Sequence, residues 1–181
     1  LFRSLNPTGG KLEVDELNIH SNLVSWHKKI GYVPQSIYLL DDSIKKNIAF
    51  GLEDKDINDN LIKHAIKEAN LNELVEKLPN GMDTIVGEKG IKFSGGQQQR
   101  IGIARSLYHD PEILILDEAT SSLDLSTEKK IMQSIQALKG KKTLIVVTHR
   151  LSTVQHCDNI FYINNGKIIK QGSPKEVLDN L

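Results

Sequence analysis

Two short apolar runs constrain the fold most: Ile113-Leu114-Ile115-Leu116 and Leu144-Ile145-Val146-Val147. Neither alternates with polar residues, so a strand built from either presents apolar side chains on both faces. Strands of that kind belong to parallel sheets covered by helices on both sides. Both runs are strand-sized and far shorter than the ~20 residues that cross a bilayer. Thr127 to Leu138, between them, has helical spacing, and Ile30-Gly31-Tyr32-Val33 reads as another short strand stopped by Pro34. The expected class is α/β, with Lys142 to Thr148 as a second buried strand.

The remaining segments fit around that sheet. Lys11 to Ile19 alternates apolar and polar residues and predicts a hairpin or edge strands. Ser43 to Leu78 is helical in pattern, with Leu61, Ile62, Ala65, Ile66 and Ala69 in one stripe, and Pro79-Asn80-Gly81 breaks it. Thr84 to Phe93 is a glycine-bearing loop. Ser94-x-x-Gln97 has the form of a capping box and opens a helix with Ile101, Ala104, Leu107 and Tyr108 on one face. Arg105 reads there as a surface charge or local ion pair. Asn164-Asn165-Gly166 joins two strands as a hairpin turn, and Ser173-Pro174 starts a last helix. The expectation is a single domain over 1–181, with an α/β core at 1–39 and 109–181 and a helical subdomain at 40–108.

Lys plus Arg and Asp plus Glu both number 23, so the balance gives no reason to expect nucleic acid as a partner. Cys157 is the only cysteine, which excludes an intramolecular disulfide and fits a reducing compartment.

Chemistry concentrates at two places. The apolar strand Ile113–Leu116 ends in Asp117 and Glu118. In an open α/β sheet, ligands bind at the carboxyl ends of the strands. Asp117 is therefore a candidate to hold Mg²⁺, a hard cation that takes oxygen ligands, and Glu118 a candidate to position an attacking water. Phe93-Ser94-Gly95-Gly96-Gln97 is the second place. Its glycines permit close backbone approach, and a helix amino terminus attracts anions. Taken singly, each motif also has a plainer reading: a strand terminus, a helix cap.

Phe93 to Arg105 resembles the signature helix of ABC ATPases, with Phe93 at the usual leucine position. Other stretches resemble that family in the same order. Ile113 to Glu118 looks like its Walker B strand, Tyr32-Val33-Pro34-Gln35 its Q-loop, and Thr84 to Gly90 the exporter X-loop. Ser121-Ser122-Leu123-Asp124 is similar to the D-loop and Val147-Thr148-His149-Arg150 to the H-loop. The resemblance implies a P-loop NTPase-type core, ATP and Mg²⁺ as ligands, and a head-to-tail dimer on the cytoplasmic face of a membrane. It implies catalytic roles for Glu118 and His149, metal contacts from Asp117 and Gln35, and Ser94, Gly95, Gly96 and Gln97 acting on the partner's nucleotide. Asp124 would be the D-loop acid, and the Q-loop and X-loop regions would meet a transmembrane domain. Ser36 to Ile44 and Lys129 to Met132 look similar to the branch that flips lipid-linked oligosaccharides or polysaccharides.

No Gly-x-x-x-x-Gly-Lys-Ser/Thr string occurs among the 181 residues. The chain is therefore expected to lack the first strand and phosphate loop of the family, and alone to be inactive. Two alternatives remain: a non-catalytic half that lends its signature to a complete partner, and an ABC ATPase with no transport role.

Overall fold

The computed structural model describes residues 8–120, 123 and 125–179. Its elements run β1 (Glu13–Val14), β2 (Leu17–Asn18), α1 (Leu23–Lys28), β3 (Ile30–Val33), α2 (Ile44–Ile48), α3 (Asp59–Glu68), α4 (Asn72–Lys77), α5 (Gly95–Leu107), β4 (Ile113–Asp117), α6 (Leu125–Gln136), β5 (Thr143–Val147), α7 (Leu151–Val154), β6 (Ile160–Asn164), β7 (Lys167–Gly172) and α8 (Pro174–Leu178). They form two units, one ending at Val146 and one starting at Val147.

In the first unit the apolar run Ile113–Leu116 becomes the middle strand of a sheet ordered β3-β4-β5. β3 and β4 are parallel, in the register Ile30↔Ile113 through Val33↔Leu116. Leu114, Ile115 and Leu116 are buried, as a strand covered on both faces requires. β5 departs in part from the expectation of a second buried strand: Leu144 and Val146 pack half-buried against the core, but Thr143 and Val147 are exposed, Val147 by 51%. The physical reason is its place in the order, since among the described residues it is an outer strand with a neighbour on one side only.

β3 lies against α5. A Cβ built on Gly31 would sit 2.5 Å from the Ser106 carbonyl oxygen and 2.9 Å from Pro111 Cγ. Only a residue without a side chain permits that approach. The stripe of α3 buries Ile62, Ala65 and Ile66, with Ala69 just past its end, and α5 buries Ile101, Ala104 and Leu107, with Tyr108 at its carboxyl cap. The Tyr108 hydroxyl accepts the Asn58 backbone N–H at 2.9 Å, tying the start of α3 to the end of α5. These residues share one core with Leu39, Ile44, Ile48, Leu71, Val86 and Ile131.

β1 and β2 pair antiparallel across Asp15 and Glu16, both at positive φ. α1 was not evident in the sequence. It is a six-residue helix whose amino end is held by the Asn22 side chain, which accepts the Ser25 N–H.

In the second unit, β6 and β7 pair antiparallel around Asn165 and Gly166, at φ 48° and 73°. That is the turn chemistry Asn-Gly supplies. Pro174 stands in the first turn of α8, behind a Ser173–Glu176 capping box. Among the described residues no helix is long and apolar enough to cross a membrane.

Candidate functional site

The parallel register aligns the carboxyl ends of β3 and β4, so Pro34-Gln35 and Asp117-Glu118 leave the sheet side by side. Gln35 Nε2 donates to Glu118 Oε2 at 3.0 Å, and the Tyr32 hydroxyl donates to Asp117 Oδ2 at 3.0 Å. Tyr32 pairs with Ile115, two residues before Asp117, so the phenol and the carboxylate share one face of the sheet. Burial, and then the bond to Asp117 and its charge, raise the Tyr32 hydroxyl above its ordinary pKa. Glu118 has φ 46°, a left-handed conformation that costs a non-glycine residue roughly 1–2 kcal/mol. The chain therefore turns sharply where the apolar strand stops, with both acids partly exposed at the sheet edge.

Two carboxylates and a neighbouring amide suit a magnesium ion that also takes phosphate oxygens and water. Among the described residues, no group of three or more His, Cys, Asp or Glu side chains could hold a metal alone. The oxygens of Asp117, Glu118 and Gln35 are of the hard kind that such a cation takes.

The start of α5 is a separate element. Ser94 Oγ accepts the Gln97 N–H at 3.4 Å, and Gln97 Oε1 accepts the Ser94 N–H at 2.9 Å, closing the capping box the sequence predicts. Ser94 and Gly95 are exposed, whereas Gly96 is buried. A Cβ on Gly96 would lie 2.1 Å from Thr127 Cγ2, so the bare backbone here lets α5 approach α6. Gln98 Nε2 donates to the Gly90 and Phe93 carbonyls, both at 3.0 Å, and fastens the preceding loop to the helix. That loop is tied to the stretch before α2 by Ile44 N–H to Thr84 O at 3.0 Å and Val86 N–H to Asp42 O at 2.9 Å.

Arg105 is not the surface charge or ion pair expected of it. Its Nε donates to Asn47 O at 2.7 Å, Nη1 to Tyr38 O at 2.9 Å and Nη2 to Asn47 Oδ1 at 3.1 Å, with Phe50's ring 4.7 Å from Cζ. Burial alone lowers its pKa. No carboxylate among the described residues pairs with it; its donors meet two backbone carbonyls and the Asn47 side-chain oxygen.

The structure thus brings Gln35, Asp117 and Glu118 together, and leaves Ser94 to Gln97 at the head of α5. His149 belongs to the second unit, exposed and two residues past β5, where the Arg150 N–H donates to Thr148 Oγ1 at 3.0 Å. Asp124 lies outside the described residues. Tyr32, Asn47 and the bonds of Arg105 were missed in the sequence. The one available signal was Tyr32's strand register with the acids, which appears only once β3 is paired with β4.

Residues 1–121 match the family described as "ABC transporter". The chain is 40% identical over 180 residues to an ABC transporter ATM1 of Toxoplasma gondii, covering 99% of this chain and 16% of that protein. It is 42% identical over 170 residues to an ATP-dependent lipid A-core flippase of Pasteurella multocida, covering 93% and 29%. A solved structure of a bacterial Atm1-family ABC exporter with ATP bound superposes with a TM-score of 0.86 at 38% identity, over 99% of this chain and 32% of that one. The chain therefore spans less than a third of the length of these relatives. An ABC-type α/β fold, the capped helix opening at Ser94, the acids closing β4 and a family match through residue 121 lead to one conclusion: this chain belongs to the ABC transporter family, as a nucleotide-binding domain of the exporter kind.

Proposed function

We propose that the domain binds and hydrolyses ATP to power an export-type transporter, in a head-to-tail dimer of nucleotide-binding domains on the cytoplasmic face of a membrane. The observation that carries this reading is the pairing of Gln35 with Glu118 beside Asp117 at the carboxyl edge of the sheet. Asp117 and Gln35 hold the metal. Glu118 orients the attacking water and takes its proton, with His149 completing the site. Ser94, Gly95, Gly96 and Gln97 cover the nucleotide of the partner domain, and Asp124 is the D-loop acid. ATP bound with Mg²⁺ supplies the phosphoryl group whose charge these groups stabilise. The division into a core at 1–39 and 109–181 and a helical subdomain at 40–108 belongs to the same reading, supported by α2 to α5 filling that interval.

A transmembrane domain docks on the stretch after Gln35 and on the loop at 84–90. Exposed Tyr38, Leu40 and Ile85 support this, since Ile85 bridges to Ser43 and so lies beside that stretch. The exported substrate is a lipid-linked saccharide, in keeping with relatives named lipid A-core flippases. The decisive experiment is Glu118→Gln in the intact protein. Losing a general base costs about 10²–10⁴-fold in turnover, with ATP affinity unchanged. Retention of more than a tenth of the rate would rule out the assignment.

A second reading rests on the self-contained cap of α5, with Ser94 and Gly95 exposed. In that reading this chain is a non-catalytic half that supplies Ser94, Gly95 and Gly96 to the site of a complete partner domain.

A further inference from the structure

Asn47 is fully buried, yet its side chain is entirely polar. Its Oδ1 accepts the Leu40 N–H at 2.8 Å, and its Nδ2 donates to the Leu40 and Ser43 carbonyls, both at 3.0 Å. One amide thus folds the stretch from Leu40 to α2 around itself. Arg105 reaches the same stretch from α5 and bonds it at both ends, at Tyr38 O and at Asn47 O and Oδ1. Phe50 closes the far face of the guanidinium. Nearer Gln35, Ile37 fills the notch left by Gly102, where a Cβ would come within 2.4 Å of Ile37 Cδ1. Between Gln35 and Phe50, therefore, the chain is bolted to α5 at two successive places. Tyr38 and Leu40, in the same stretch, turn exposed apolar side chains outward.

A guanidinium suits this task as an ammonium does not. Its donors lie in a rigid planar fork and can bond several fixed oxygens at once. α5 is stiff, and Ser94 stands eleven residues from Arg105, roughly 16 Å along the axis. A displacement of Tyr38 and Leu40 is then passed to Ser94 by a rod and not absorbed by a loop.

We propose that Arg105 and Asn47 are positioning residues that lock the segment after Gln35 onto the signature helix, so that movement of the docking face and movement of Ser94 are one event. The inference rests on the transport reading above, because it needs a membrane domain to push on that face.

The test uses the intact protein in lipid nanodiscs, with Arg105→Met and Arg105→Lys compared with wild type. Hydrogen exchange in peptides covering 37–47, ATP affinity, KM and kcat are measured. Arg105→Met is expected to speed exchange in that segment at least tenfold and lower kcat about tenfold, with KM and ATP affinity within twofold. Arg105→Lys falls between. Unchanged exchange, or kcat within twofold of wild type, overturns the proposal. So does a parallel loss of ATP affinity and melting temperature, the mark of a merely structural role. A wild-type protein that hydrolyses no ATP defeats the transport reading, while the exchange data still decide whether Arg105 locks the segment.

Discussion

Gly31→Ala tests the packing that aligns the site. The added Cβ would sit 2.5 Å from the Ser106 carbonyl oxygen, where ordinary contact begins at 3.4 Å, so about 0.9 Å must be found. The atom in the way is helix backbone, which has no rotamer to change. Pro111 Cγ at 2.9 Å and Leu114 Cδ1 at 3.1 Å block the neighbouring directions. β3 and α5 must separate, and overpacking of this kind costs about 2–3 kcal/mol. For a chain of this size that lowers the melting temperature by about 4–12 °C. Gly9→Ala is the control: nothing lies within 4 Å of its Cβ, and it should stay within about 0.5 kcal/mol of wild type. Thermal unfolding of the three proteins under one condition gives the comparison. Because β3 carries Tyr32 and leads to Gln35, Gly31→Ala should also reduce ATP turnover in the intact protein. A loss below about 1 kcal/mol, or no difference from Gly9→Ala, would refute the reasoning.

Two further outcomes separate the roles of the site. On the second reading, in a mixed pair with a complete partner domain, Ser94→Arg should abolish ATPase activity, whereas Glu118→Gln in this chain should change it by less than about twofold, since there the active site belongs to the partner; equal losses would sink that second reading. Asp110 is held below the usual carboxylate range chiefly by its bond from Lys142 Nζ at 2.5 Å. A carboxyl depressed in the folded state adds stability above its unfolded pKa, about 4, and that gain fades as pH falls through the lower folded value. With Asp110 largely exposed, the gain is about 0.5 kcal/mol. The melting-temperature gap between wild type and Lys142→Met should accordingly narrow between pH 6 and pH 3, without closing, because Lys142 also donates to Pro111 O at 2.7 Å. A gap that widens on acidification contradicts this sign.

Local patterns made much of this legible from residues alone. The unbroken apolar run at Ile113 marked the covered central strand, and Ser94-x-x-Gln97 marked the first turn of α5, because a cap and its helix are adjacent in sequence. Arg105 was misread for the opposite reason: its partners, Tyr38 and Asn47, are 67 and 58 residues away, and nothing local shows that a cation will meet carbonyls. Tyr32 became visible as a partner of Asp117 only through the β3–β4 register. β5 shows a third kind of gap. An apolar run reports what both faces of a strand would tolerate, not how many strands stand beside it.

That outer strand carries a further consequence. Among the described residues, Thr143 to Val147 has β4 on one side and no strand on the other, and the segment is rich in β-branched residues. An edge of this composition is a template: it recruits another strand, from its own protein or from a second copy.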